Sequence, residues 1–201
     1  MALLIGIGHK KRRGKDTVAN RLVDKHKFVR VSWADSLKES ARIIFGFSDR
    51  QLYGDLKEVI DPYWGFSPRD ALQKMGTDAC RNNIDDMIWI KSAWLTVEKL
   101  RRQNPNISIV IPDVRFFNEA NFIREKGGLL WKVDRDIPPD ATSNHPSEID
   151  LDDYENWNTI IENNGSLHAL YRKIDSGLAH TEQKDRTENM NVYNTRKERS
   201  S

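Results

Sequence analysis

The chain predicts an α/β domain on a mainly parallel sheet with helices on both faces. Three observations carry that prediction. Short apolar runs of strand length alternate with segments whose apolar residues recur at helical spacing. The first run, Leu3 to Gly8, ends in glycines and passes through a basic loop directly into a helical segment, the opening of a βαβ unit. And 201 residues, 38% hydrophobic and 31% charged, suit one compact unit with trimmings rather than two domains.

Taken in order, the first helix runs from Asp16 to Lys25, with Val18, Leu22 and Val23 on one face. Phe28 to Trp33 alternates apolar and polar residues as a second strand. Ala34-Asp35-Ser36 then supplies a cap for a helix carrying Leu37, Ala41, Ile44 and Phe45. From Ser48 to Asn104 strand character is low and several helices are expected. One begins at Ser67-Pro68, with Ser at the N-cap, Pro at the first helical position and Asp70 in the first turn. Another spans about Met87 to Arg102. Ile107 to Ile111 is the clearest strand, closed by Pro112-Asp113. Asn118 to Lys126 is a helix stopped by Gly127-Gly128, Leu129 to Val133 a strand, and Asp134 to Asp152, with three prolines, a loop. Trp157 to Ile161 is the last strand, and Ser166 caps a final helix through Ile174. The organisation expected is a domain over 1–178, with a helical part over about 48–104 and a loop over about 134–152. Residues 179–201, poor in large apolar side chains, read as a disordered polar tail.

Composition excludes several classes. No apolar run approaches the roughly 20 residues that cross a bilayer, and Leu3-Leu4-Ile5 is too short for a secretory signal. A single cysteine, Cys80, rules out an internal disulfide framework, and five scattered histidines form no zinc constellation. The cytoplasm is the expected location. Thirty-two basic against 30 acidic residues leave a net charge of +2, too even for a dedicated nucleic-acid coat. Five permanent positive charges nonetheless crowd the seven residues His9 to Lys15.

That cluster lies where ligands of parallel sheets bind, outside the carboxyl end of a strand. Gly8-His9-Lys10-Lys11-Arg12-Arg13-Gly14-Lys15-Asp16-Thr17 resembles the phosphate-binding P-loop, whose backbone N–H groups and helix N-terminus hold anionic oxygens while the lysine neutralises them. Five residues rather than four separate the glycines, and Asp16 precedes the hydroxyl of Thr17. Alternatively the segment is a solvated basic turn. Pro112-Asp113-Val114-Arg115 closes the clearest strand: Asp113 either holds Mg²⁺ or caps the next helix, and Arg115 either reaches a phosphate or pairs with it. Arg69 and Arg81 share the helix after Ser67, about 120° apart in projection; Arg81 is expected to pair with Asp85 or Asp86. Ser143-Asn144-His145-Pro146-Ser147-Glu148 and Arg135 belong to a loop that reads as a lid. Cys80 is a packing residue. Trp33, Trp64 and Trp89 either stack on a base or belong to the core.

Four ordered segments are similar to the phage-type deoxynucleoside monophosphate kinases: Gly14-Lys15-Asp16-Thr17, Ser32 to Lys38, Ser67 to Asp78, and Asp113 to Ala120. Ile161 to Leu167 resembles that family's closing strand and helix, and the resemblance covers about residues 3 to 175. It implies a three-layer P-loop kinase fold with a helical monophosphate-binding insertion and a lid loop. It also implies transfer of the γ-phosphoryl group of ATP to a deoxynucleoside 5′-monophosphate, with Mg²⁺, in the host cytoplasm if the chain is phage-encoded.

In this reading Lys15, Lys11, Arg115 and Asp113 form the catalytic group. Arg12, Arg13, Gly14, Lys15, Asp16 and Thr17 hold ATP. Lys11, Lys38, Arg69, Arg115 and Arg135 hold the acceptor, and Thr17 and Asp113 meet the metal. Lys132 joins Arg135 in closing over the phosphates and excluding water. Which of Lys10, Lys11 and Arg12 meets which phosphate stays open, as does the accepted base. No membrane and no dedicated nucleic-acid partner is expected, and a homodimer is compatible with the chain. Two rivals are another P-loop small-molecule kinase and a non-enzymatic nucleic-acid-binding protein.

Overall fold

A computed structural model describes residues 2–138 and 149–198, the last fifteen as backbone path only. Five parallel strands form one sheet: β1 (Leu4–Gly8), β2 (Val29–Arg30), β3 (Ile109–Val114), β4 (Leu129–Asp134) and β5 (Thr159–Glu162), in spatial order β2-β3-β1-β4-β5. Strands buried on both faces need apolar residues at consecutive positions, as Leu4 to Ile7 and Ile109 to Ile111 supply.

The alternation of side chains divides the core in two. Leu3, Ile5, Ile7, Val110, Trp131 and Val133 face α1 (Lys15–His26) and the C-terminal helix. Leu4, Ile109, Ile111, Val114 and Leu130 face α5 (Ile88–Gln103) and α6 (Phe117–Glu125). A third, smaller cluster lies apart from the sheet. There Ala41 of α2 (Asp35–Phe45), Leu52 of α3 (Asp49–Tyr53), and Ala71 and Leu72 of α4 (Pro68–Gln73) pack with Phe47. This cluster begins ahead of the segment expected between Ser48 and Asn104, with Ala41 and Phe47, whereas α5, inside that segment, packs on the sheet through Ile90, Ala93 and Val97.

Topology places the site. The helix after β1 packs on one face and the helix after β3 on the other, so the loops leaving these adjacent strands diverge and open a crevice at their carboxyl ends.

Three elements differ from expectation. The second strand is limited to Val29–Arg30; Val31 and Trp33 are buried beyond it, at the sheet edge. The helix from Ser67 turns into a π-helix over Lys74–Arg81. A π-turn is defined by its i→i+5 backbone hydrogen bonds and carries no residue pattern of its own, so a reading by α-helical periodicity does not reveal it. The final helix, α7 (Leu167–Glu198), continues beyond residue 178, where the reading of a disordered tail begins. Low apolar content lowers burial, but Glu, Gln, Lys, Arg and Met are good helix formers, and after Gly177 neither Gly nor Pro interrupts them.

Candidate functional site

The loop after β1 is shaped by its backbone. His9, Arg12 and Gly14 all have positive φ, of 90°, 60° and 103°. Non-glycine residues adopt such angles at a cost, which marks the loop as held by its surroundings. Gly14 is required twice over: by its φ, and because a Cβ there would run into Asn163. Asn163, just past β5, donates from Nδ2 to the Arg13 carbonyl at 2.9 Å, and its own N–H donates to Asp134 O at 2.6 Å. The loop is therefore fastened to the ends of β4 and β5.

Lys15, only 6% exposed, donates from Nζ to the carbonyls of His9 (2.8 Å) and Lys10 (2.6 Å). An ammonium is rarely buried without such partners. The loop's other charges are balanced locally: Lys10 Nζ meets Asp152 at 2.8 Å and Arg13 Nη1 meets Asp134 at 3.2 Å. Burial, and then the charge of Lys132, push the His9 imidazole down to about 4. The ring is neutral at pH 7, and its 3.8 Å approaches to Asp134 and Asp152 are not ion pairs there.

At the end of β3 the ladder is irregular. Ile7 pairs with Pro112 and Gly8 with Val114, which leaves Asp113 as the extra residue of a bulge, with φ of 69°. Bulges re-aim side chains at strand ends. Here the carboxylate receives Arg115 Nε at 2.6 Å and lies 3.5 Å from Lys15 Nζ. The protein around Asp113 opposes its charge, but Arg115 and Lys15 outweigh that and hold the carboxyl below its usual range. Lys15 from the first loop and Arg115 from the third thus meet at one carboxylate.

The helical segment brings further cations to that carboxylate. Lys38 of α2 is half-buried, with Nζ 3.9 Å above the Tyr53 ring. Its amine is pushed down by burial, then by Lys57, with Arg30 and Asp113 also in electrostatic reach. Lys57, half-buried too, is pushed down by burial, then by Arg69, and it also senses Asp113. The Lys57 carbonyl accepts the Arg69 N–H at 3.0 Å, and the Arg69 side chain pairs with Glu58. Mutually repelling, partly desolvated amines are what a multiply charged anion would stabilise. Lys57 was missed in the sequence because it lies in an irregular stretch with no motif around it.

Of the residues singled out in the sequence, Lys15 and Arg115 come together at Asp113, with Lys38 in electrostatic reach of the same carboxylate, while Arg69 lies near Lys57 and pairs with Glu58. Arg12, Lys11 and Thr17 lie on the same loop and helix start, Arg12 exposed and the other two half-buried. Asp16 turns elsewhere: it is exposed and accepts Arg30 Nη2 at 2.6 Å. Arg135 stands past the end of β4, on the other side of β1 from β3 and Arg115. Lys132, one strand position from the loop, acts on His9. Arg81 does not pair with Asp85, which takes Lys91 instead; the π-helix swings its guanidinium to 4.4 Å above the Phe116 ring. Of the three tryptophans, Trp33 is core, Trp64 packs against the helical cluster, and Trp89 donates to the Gly76 carbonyl inside the π-helix. Residues 139–148, with Ser143 to Glu148 of the expected lid, lie outside the described residues.

Comparison with known proteins is consistent across sequence and fold. A family model described as deoxynucleotide monophosphate kinase matches residues 53–174. A protein of Acanthamoeba polyphaga mimivirus, named as a candidate deoxynucleotide monophosphate kinase, is 39% identical over 185 residues, covering 87% of this chain and 95% of that protein. The deoxynucleotide monophosphate kinase of Enterobacteria phage T4 is 32% identical over 127 residues, 62% of this chain and 49% of that longer protein. Among solved structures, a dephospho-CoA kinase from Campylobacter jejuni aligns with a TM-score of 0.53 at 13% identity, over 92% of this chain and 100% of that one. A gluconokinase from Sinorhizobium meliloti aligns at 0.51 and 12%, over 93% and 97%. At such identities the likeness concerns the fold, which is that of the P-loop kinases.

Proposed function

We propose that this chain, which belongs to the deoxynucleotide monophosphate kinase family, moves the γ-phosphoryl group of ATP onto the 5′-phosphate of a deoxynucleoside monophosphate. An acceptor phosphate oxygen forms the new bond to the γ-phosphorus as the bond to the β–γ bridging oxygen breaks, giving a deoxynucleoside diphosphate and ADP. Such transfer asks a protein for alignment and charge neutralisation more than covalent help.

One observation carries the reading. Lys15, at the mouth of a loop built to cradle phosphates, meets Arg115 across Asp113, with Lys38, Lys57 and Arg69 on the far side. A donor polyphosphate on the loop and an acceptor phosphate on the cations would present their reacting atoms above that carboxylate. The N–H groups from Arg12 to Thr17 hold the donor; Lys15 follows the charge on the transferring group; Lys11 stands between donor and acceptor. Arg115, Arg69, Lys38 and Lys57 hold the acceptor, and Arg135 closes on the donor side.

The ionised carboxylate of Asp113 and the hydroxyl of Thr17 are hard oxygen donors, which suits Mg²⁺ arriving with ATP and held largely by phosphate oxygens. Bound there, the ion would neutralise charge on the β- and γ-phosphates. Nucleic acid has no part in this reading, since Lys10 and Arg13 are matched by Asp152 and Asp134. No helix of the described residues is long and apolar enough to cross a membrane. The phage kinases among the chain's relatives support a place in the cytoplasm of a host cell.

The test is ADP formation by the full chain with ATP, Mg²⁺ and each deoxynucleoside monophosphate in turn, beside nucleosides and phosphorylated alcohols. Acceptor-dependent ADP release with monophosphates is expected. Release only with the other acceptors, or with none, would overturn the assignment.

A further inference from the structure

Glu119, in the first turn of α6, is 6% exposed, and the reaction described above does not call on it. Burial pushes its carboxyl up to about 7, against the pull of two N–H donors and Arg81. A carboxylate so costly to bury is retained only where its hydrogen bonds are needed.

Those bonds are specific. Oε2 accepts the backbone N–H of Arg115 at 2.7 Å and of Phe116 at 3.2 Å. Phe116 is the N-cap of α6 and has no side-chain acceptor for the first turn. A third-position glutamate reaching back to the N-cap N–H is ordinary helix capping. Reaching one residue further, to Arg115, is not needed by the helix. It fixes the peptide that leads from the bulged Asp113 into α6. That peptide sets where the Arg115 side chain begins, and Arg115 Nε grips Asp113 at 2.6 Å. From the other side, Arg81 of the π-helix lies over the Phe116 ring and within electrostatic reach of Glu119. One buried carboxylate therefore sits where the strand end and the helical segment meet.

We infer that Glu119 is the positioning residue of the acceptor half: by holding the Arg115 and Phe116 N–H groups it aims the Arg115 side chain at the acceptor phosphate and keeps it in its pairing with Asp113. The inference rests on the proposed phosphoryl transfer for its kinetic consequence and on geometry alone for its local one. Glutamine keeps an oxygen that can accept both N–H groups; aspartate is one methylene short of reaching both; alanine removes the acceptor.

The experiment measures acceptor and ATP kinetics, and hydrogen exchange at the Arg115 and Phe116 amides, in the full-length protein and its Glu119→Gln, Glu119→Asp and Glu119→Ala variants. Glu119→Asp and Glu119→Ala are expected to lower kcat/KM for the monophosphate about 100-fold, with KM for ATP within about twofold. Glu119→Gln should stay within about fivefold of the parent, with both amides protected as before. If Glu119→Ala fails to fold, the contrast between Glu119→Gln and Glu119→Asp decides. Equal loss of ATP and acceptor use, or a Glu119→Gln variant as impaired as Glu119→Asp, overturns the inference. A parent protein without acceptor-dependent ADP release would instead overturn the phosphoryl-transfer reading, while amide exchange would still judge Glu119: equal protection in Glu119→Gln and Glu119→Asp would refute its grip on the turn.

Discussion

Lys15→Met separates the two things Lys15 does. Methionine keeps an unbranched stem in the buried channel and removes the ammonium. In the folded protein that ammonium satisfies the carbonyls of His9 and Lys10, at 2.8 and 2.6 Å. At about 1 kcal/mol net for each hydrogen bond, the variant should lose about 2 kcal/mol of stability. In a chain of this size that lowers Tm by about 4–8 °C. At 25 °C the protein remains folded, so stability alone leaves turnover intact. Catalysis should fall much further. The ammonium sits 3.5 Å from Asp113, where the proposed reaction would join donor and acceptor. Removing one preorganised charge from a transferring group costs about 3–4 kcal/mol of transition-state stabilisation, or about 10²–10³ in kcat. The assay is ADP release at saturating ATP and monophosphate, beside a thermal melt of the same preparation. A variant that melts several degrees lower but turns over within tenfold of the parent would show Lys15 to be a structural staple of the loop and no more.

Three further outcomes follow from the same geometry. Lys57→Gln should raise the acceptor KM at least about tenfold with ATP KM nearly unchanged, because about 1.4 kcal/mol of charge interaction is lost on the acceptor side only; parallel loss of both would move Lys57 to the donor half. Gly14→Ala should abolish tight ATP binding, measured by calorimetry, since the residue must hold φ of 103° with Asn163 against it; ordinary ATP affinity would refute the clamp. Asp175 binds Arg21, Lys25 and His26 of α1, and these partners hold its carboxyl far below the usual range. A depressed carboxyl stabilises the fold above its unfolded value near 4 and loses that contribution as pH falls through the folded value. Asp175→Asn should therefore cost about 1 kcal/mol at pH 7, discounted for solvent screening, and nearly nothing at very low pH; a Tm difference that does not narrow on acidification would refute it.

The sheet was legible because its strands are buried on both faces and so announce themselves as apolar runs. Leu4–Gly8 and Leu129–Asp134 fall within a residue or two of the predicted spans. Val29–Arg30 is shorter than its alternating pattern, since only one neighbour, β3, is present to pair with it. On the site, loop and strand-end motifs pointed to Lys15, Asp113 and Arg115, because position at a carboxyl end is a property of local chain order. What stayed hidden depends on distant packing. Nothing near Lys57 marks it, and its nearness to Arg69, Lys38 and Asp113 arises only in the folded chain. Arg81 was assigned the wrong partner because spacing on a regular helix does not survive the π-turn. Asn163 acts on a loop 150 residues away, through a contact that local sequence order cannot encode.

The placement of buried ionisable groups ties these strands of argument together. Among the described residues, the buried side chains able to carry charge are His9, Lys15 and Glu119. Two belong to the phosphate loop and the third anchors the turn after β3, on opposite walls of the crevice between β1 and β3. A fold seeking only stability gains little from such groups, since apolar replacements of similar volume serve a core as well or better. Three of the four described non-glycine residues with left-handed backbone, His9, Arg12 and Asp113, share this point with them, the fourth, Lys27, capping the far end of α1; most of the backbone strain and the buried charge thus fall where phosphates would meet in the proposed reaction. The surrounding cores, two on the sheet and one in the helical segment, supply the stability that lets this point remain strained. The helical cluster has a core of its own, separate from the two that cover the sheet. Lys38 and Arg69 stand on its helices, with Lys57 between α3 and α4, whereas Lys15, Asp113 and Arg115 stand on the loops and strand ends of the sheet. Changes confined to that segment should therefore alter acceptor choice while leaving the donor half as it is.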